Sequence, residues 1–312
     1  MRRRWWRVAA KAAVVVTAVW LAGDFAYSRV VAGQADAWEA TVQRDADGVL
    51  DGCGAYSLEP TTAASPGKPA LLMVHGINAS PRHYDKLAPH MAGLGYPCRV
   101  TRLPGFAEPL DAYAGHNAGD WVAAVDRELA GLRDEHERVG IVAHSLGGAV
   151  AIGQLLAEPG SADFAVLLAP ATGVSSRRSP ILSTRAWHEV GRKTLPFTTV
   201  MRSPFGIDSH DPANADFPGR CPFTPRVVVD ELFGLMDANW RGVSRFDTPL
   251  LMVLTEDDRV VDWEAARRFY EECPSPRKEL LMLEDSGHAI PVDYGWREVA
   301  AAVDRFATAD DR

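Results

Sequence analysis

Three short stretches carry residue types suited to acyl-transfer chemistry. In IVAHSLGGAV (141–150), Ser145 separates two apolar runs, with Ala143 two residues before it and Gly147 and Gly148 just after. In TEDDRVV (255–261), Glu256, Asp257 and Asp258 follow another apolar run, and in EDSGHAI (284–290) His288 follows a third. A serine hydroxyl is a weak nucleophile until an imidazole takes its proton and a carboxylate orients that imidazole. Taken alone, Ser145 also reads as the N-cap of a glycine-rich helix start. The serine, the acids and the histidine each stand just beyond an apolar run, and that shared placement favours the nucleophile. A fourth stretch, VHGINAS (74–80), supplies a turn at Gly76. Acyl transfer passes through a tetrahedral oxyanion, which preorganised backbone N–H groups stabilise. The amides of Ile77 and Leu146 are the natural pair, and His75 reads as a structural hydrogen-bonder of this loop.

These groups need elements to hold them. Apolar runs at 70–75, 97–102, 138–144, 163–169, 249–255 and 278–284 lack strict polar alternation and predict strands buried on both faces. Helix-period segments at 82–93, 119–136, 146–157, 262–272 and 293–307 alternate with them; Val122, Val125, Leu129 and Leu132 make the clearest stripe. Strands alternating with helices imply an α/β fold with a mostly parallel central sheet and helices on both faces. Residues 171–245 interrupt the alternation after the fourth strand and read as a compact cap insertion over the sheet's carboxyl edge, where open α/β sheets bind ligands. The expected organisation is a leading segment (1–28), a stalk and linker (29–69, helical at 24–50, a loop at 59–69), the core in two parts (70–170 and 246–312), and the cap (171–245). Within the cap, 227–240 predicts an amphipathic helix whose apolar side could line an acyl tunnel. Arg177-Arg178 reads as a solvated turn or a contact for a substrate carboxylate. His83, His90, His116, His188 and His210 lack metal spacing and read as surface residues or structural hydrogen-bonders.

The stretches LLMVHGINASPRHYDKLAPHMAGLGY, LPGFAEPLDAYAGHNAGDWVAAV, VAHSLGGAVAI, PLLMVLTEDDRVVDWEAA and LEDSGHAI, in this order over most of 70–306, resemble the α/β-hydrolases of the carboxylesterase and monoacylglycerol-lipase branch. The resemblance implies Ser145 as nucleophile, His288 as general base and the Ile77 and Leu146 amides as oxyanion hole. It implies Asp258, rather than Asp257, as the orienting acid, by spacing. Two positions depart from the family pattern: Ala143 replaces the first glycine of G-x-S-x-G, and Thr255 stands where a glycine is common. The implied activity is hydrolysis of short- or medium-chain or monoacyl lipid esters, with no metal and no organic cofactor. An acyltransferase or perhydrolase would use the same groups, and a non-catalytic binding module could keep the fold.

A net charge of −8 argues against a nucleic-acid partner, which usually meets a basic face. The charge is uneven: Arg2, Arg3, Arg4, Arg7 and Lys11 precede the first acid, Asp24, and Ala12–Gly23 carries no charge. That pattern fits a signal anchor or a cleaved signal peptide, with Trp5, Trp6 and Trp20 suited to the membrane interface; a cytosolic amphipathic helix is the bland alternative. Either export reading leaves the basic flank inside and the body outside the cytoplasm. Of the four cysteines, Cys98 reads as core, and an exported body would permit a disulfide whose pairing stays open.

Overall fold

The computed structural model describes residues 2–61, 68–179 and 181–309, so the loop expected at 59–69 lies mostly outside the described residues. Helix α1 (Arg2–Glu39) opens the chain and runs 38 residues without a break, through the expected boundary at 28. It stops well short of residue 50. Asp45 Oδ1 accepts the N–H groups of Asp47 and Val49, and Gly48 sits at φ 80°, so the chain turns there instead of continuing as helix.

Next come β1 (Tyr56–Leu58), β2 (Ala70–Val74), α2 (Leu87–Gly93), β3 (Cys98–Thr101), α3 (Leu110–Ala114), α4 (Ala118–Glu135), β4 (Val139–His144), α5 (Leu146–Ala157) and β5 (Phe164–Leu168). The insertion holds α6 (Thr184–Thr194), β6 (Val200–Arg202), β7 (Phe223–Pro225) and α7 (Arg226–Gly242). The chain closes with β8 (Leu250–Thr255), α8 (Trp263–Glu272), β9 (Lys278–Leu283) and α9 (Trp296–Thr308).

Seven strands form one sheet in the order β1-β3-β2-β4-β5-β8-β9, parallel except for β1. Strand β1 is a short antiparallel edge inside the stretch read as linker; three residues give too little pattern to be seen in sequence. Alternate residues of β2 face opposite layers. Leu72 and Val74 join the core under α4, α5, α7 and α8, while Leu71 and Met73 join the core under α2 and α9. This two-sided burial explains the unbroken apolar runs. Strand β9 departs from that expectation, since it forms the other edge and most of its residues are half-buried. Helix α4 begins with a capping box, in which Asn117 accepts the Asp120 N–H and Asp120 accepts the Asn117 N–H. Its inner face is Trp121, Ala124, Val125, Leu129 and Leu132. The in-register pairs Val74 with Ala143, His144 with Leu168, and Thr255 with Leu283 align the carboxyl ends of the central strands along one edge.

Candidate active site

Three chain segments meet at that edge. Ser145 Oγ lies 2.9 Å from His288 Nε2, and His288 Nδ1 lies 2.7 Å from Asp258 Oδ2. The other carboxylate oxygen of Asp258 accepts the N–H groups of Val260 and Val261 at 2.8 and 2.7 Å, and the residue is 1% exposed. With both oxygens occupied, the carboxylate is fixed in direction, and the network assigns the His288 proton to Nδ1. Nε2 is left to accept from the serine hydroxyl. Asp257 points elsewhere: its exposed carboxylate stands 3.7 Å from His210 Nε2.

Ser145 occupies a backbone conformation that L residues rarely adopt, φ 56° and ψ −118°, where β4 turns directly into α5. The turn works only with small neighbours. A Cβ on Gly147 would come within 2.4 Å of the His75 carbonyl oxygen, and one on Gly148 within 2.8 Å of the Pro170 Cβ. Ala143, in the place of the usual glycine, lies fully buried in β4 opposite Val74 and Leu167, and its methyl is accommodated there.

Leu146 is the first residue of α5, so its N–H has no carbonyl a turn earlier to bond. Ile77 follows Gly76, whose missing side chain would otherwise meet the Ser145 Cβ at 2.9 Å. Among the described residues, neither amide is spent on a turn or ladder hydrogen bond. His75 braces this loop: Nδ1 donates to the Gly76 carbonyl at 3.0 Å and Nε2 accepts the Leu103 N–H at 3.2 Å. Burial pushes its pKa down to about 4, so the neutral form that fits both contacts persists.

Several supporting residues have no signal in a single sequence. Asp208, in the insertion, accepts Arg178 Nη2 at 2.7 Å, the Arg259 N–H at 2.9 Å and the His288 N–H at 3.3 Å. Its own carbonyl accepts the Ala289 N–H at 2.9 Å. Asp293, fully buried, accepts the N–H groups of His210, Asp211, Gly287 and Tyr294. Burial alone would raise its carboxyl, but those donors outweigh it and hold the pKa below the usual carboxylate range. His144, the last residue of β4, holds the His288 carbonyl at 2.8 Å through Nε2. The threonine departure is explained too, since Thr255 Oγ1 donates to the Ser286 carbonyl at 2.8 Å and ties β8 to the histidine loop.

Above Ser145 opens a cavity of about 360 Å³, lined by Ile77, Val174, Trp187, Phe205 and Ile207 together with three arginines, 178, 220 and 259. Two expectations change here. Helix α7 does not line this cavity; Val228, Leu232, Leu235 and Met236 are buried in the core beside α5. The turn at Arg177-Arg178 is present and Arg177 is exposed, but Arg178 is half-buried, clamped to Asp208 and stacked over Phe205 at 4.6 Å. His83, expected as a surface residue or a structural hydrogen-bonder, is buried at the cavity wall with both ring nitrogens unbonded among the described residues. Burial lowers its pKa to about 3. His188 and His210 pair with Asp230 and Asp285. Cys98 is core as expected, and all four cysteines are buried free thiols.

A mostly parallel sheet flanked by helices, with a serine on the turn after a central strand, defines the α/β-hydrolase fold. Solved structures of that fold superpose on this chain: the yeast (Saccharomyces cerevisiae) monoglyceride lipase, in a soluble variant, at TM-score 0.71, 15% identity, 81% of this chain and 90% of that one, and the Paleococcus ferrophilus monoacylglycerol lipase at TM-score 0.67, 20% identity, 81% and 98%. Residues 65–294 match the family model described as serine aminopeptidase, S33, and the chain belongs to that hydrolase family. Among characterised relatives it is 24% identical to the thermostable monoacylglycerol lipase of Bacillus sp. (strain H-257), over 74% of this chain and 87% of the relative. It is 22% identical to the carboxylesterase of Bacillus subtilis (strain 168), over 73% and 87%.

Proposed function

We propose that this chain is a serine ester hydrolase acting on monoacyl lipid or short- to medium-chain esters. The observation that carries the reading is the unbroken hydrogen-bond path from Ser145 through His288 to Asp258. Ser145 Oγ attacks the ester carbonyl as its proton passes to His288 Nε2, and Asp258 stabilises the imidazolium. The oxyanion is held by the Ile77 and Leu146 amides. Collapse expels the alkoxide, which takes the proton from His288. Water, deprotonated by the same nitrogen, then releases the acid and restores the serine.

The cavity favours esters over peptides with a free amino terminus. Among the described residues its one lining acid, Asp208, is already paired with Arg178, and the other charged side chains of the lining, Arg220 and Arg259, are cationic, so the wall offers no free carboxylate to an ammonium group. The names of the lipase and carboxylesterase relatives support the same substrate class.

The reading extends to the ends of the molecule. Residues 171–245 serve as the cap, and α1 serves as an uncleaved signal anchor. The helix has a span from Val8 long and apolar enough to cross a membrane, and the basic residues before it keep that end in the cytoplasm. Incubating the full chain in detergent with a fluorophosphonate probe, alongside Ser145→Ala, tests the mechanism. Labelling of the wild type alone, with turnover of monoacylglycerols and p-nitrophenyl esters, is expected; no labelling of folded wild-type protein would overturn it.

A further inference from the structure

The cap exposes large apolar side chains on α6, whose end meets the anchor helix. In α6, Arg185 pairs with Asp237 and His188 Nε2 lies 2.7 Å from Asp230, both carboxylates belonging to α7. At 3.6 residues per turn, Trp187 and Val190 fall on the opposite side, where they are 45% and 42% exposed. Ile181, just before the helix, is 80% exposed. No residue of α6 is buried, and Arg185 on the other side is as open, with 46% of its side chain exposed, so Ile181, Trp187 and Val190 form apolar surface without a partner among the described residues. The end of α6 abuts α1, where the Thr194 carbonyl accepts the Trp20 indole N–H at 2.7 Å. The Phe25 and Phe197 rings meet edge to face with centroids 5.5 Å apart.

The height of this contact is the telling point. A hydrocarbon layer of about 30 Å takes up about 20 helical residues, so a span starting at Val8 ends near Tyr27. The cap grips α1 at Trp20, Asp24 and Phe25, inside that span. Asp24, an acid that would otherwise face lipid, is buried instead and accepts the Phe197 N–H at 2.8 Å and the Thr198 hydroxyl. The charge of the same region agrees. Of the basic residues in 171–207, Arg178 and Arg185 are paired with Asp208 and Asp237, which leaves Arg177, Arg192, Lys193 and Arg202 against Glu189, within a chain of net charge −8. Basic residues interleaved with exposed Trp and aliphatic side chains suit the headgroup boundary of an anionic bilayer.

We propose that the outer side of α6 and the residues before it rest in the headgroup region of the leaflet that α1 leaves, so that the cavity above Ser145 opens onto the lipid surface. Trp187 belongs both to that face and to the cavity wall, and so marks where substrate passes from one to the other. The inference rests on reading α1 as a membrane anchor and the cavity as an ester site.

The full chain, reconstituted in phosphatidylcholine–phosphatidylglycerol vesicles, carries a nitroxide in turn at Ile181→Cys, Val190→Cys and, as a control on the far end of the sheet, Glu137→Cys. Labels at 181 and 190 should be shielded from an aqueous nickel relaxant and open to oxygen, with the label at 137 showing the reverse. If all three labels are aqueous while the protein stays in the membrane, the proposal fails. A second measurement uses Ile181→Glu/Val190→Glu. Hydrolysis of monoacylglycerol in the same bilayer should fall by about tenfold or more while soluble p-nitrophenyl acetate changes less than about twofold. Equal effects on both substrates would overturn the proposal. A wild type that hydrolyses neither ester defeats the hydrolase reading alone, because the label depths are independent of turnover.

Discussion

At the scale of single residues, the geometry separates two neighbouring acids. Asp258→Asn should leave the fold intact and reduce kcat by about 10⁴-fold, because an amide cannot hold the imidazole in the tautomer that accepts from serine. Asp257→Asn should stay within about twofold of wild type, since its exposed carboxylate does not reach His288. Steady-state kinetics on a soluble ester distinguishes the two. The meeting of Ser145, Asp258 and His288 was legible because each follows an apolar run that becomes a central or edge strand. Asp208, Asp293 and His144 were not. Each acts on backbone atoms from remote segments, and a carboxylate accepting four amides looks in sequence like any other loop acid. The buried histidines carry a prediction of their own. His75 and His83 have folded pKa values of about 4 and 3, below the ordinary value of about 6.5. The unfolded chain therefore binds protons first. Stability should be greatest above pH 6.5 and fall as pH drops from there, by about 3 kcal/mol for His75 once pH 4 is passed. Urea midpoints at pH 7.5 and 5 check this; equal midpoints would refute it.

Among elements, the turn from β4 to α5 is the least forgiving. Gly147→Ala drives a methyl against the His75 and Val74 carbonyl oxygens at 2.4 and 2.5 Å, both backbone and unable to yield. A loss of about 3 kcal/mol or more, read as a lowered melting temperature together with lost activity, is expected. Five of the strands were legible as short apolar runs without polar alternation, and β9 as a run though not as an edge. Strand β1 was not, because three half-exposed residues beside a turn carry no period. The helix at 227–240 was legible, but the destination of its apolar side was not. A stripe that fills a core and one that lines a tunnel have the same spacing, and only packing on α5 decides between them.

For the molecule as a whole, α1 belongs to the folded body along its second half. Val31 and Ala35 share a buried cluster with Cys221 and Phe223 of the insertion. A chain starting after residue 39 should therefore melt at a lower temperature than the full chain in the same detergent, because Phe223 and Cys221 become exposed. Equal melting temperatures would mean the helix is only a tether. The basic start and the uncharged run after it made an apolar leading helix legible, but not its continuation past residue 28 to Glu39. Its welding to the insertion was not, since that depends on contacts spanning about half the chain.

Asp208 has a consequence for anyone who would re-engineer this protein. Its carboxylate is held by the insertion's Arg178 on one side and holds the Arg259 and His288 amides on the other. Specificity engineering often treats such an insertion as an exchangeable part, grafted between scaffolds to carry its preferences along. Here the graft would remove an anchor of the loop that carries His288. A chimera with a foreign segment lacking an acid at this position should bind its new ester and turn it over slowly, and restoring one aspartate should recover the rate without altering the preference.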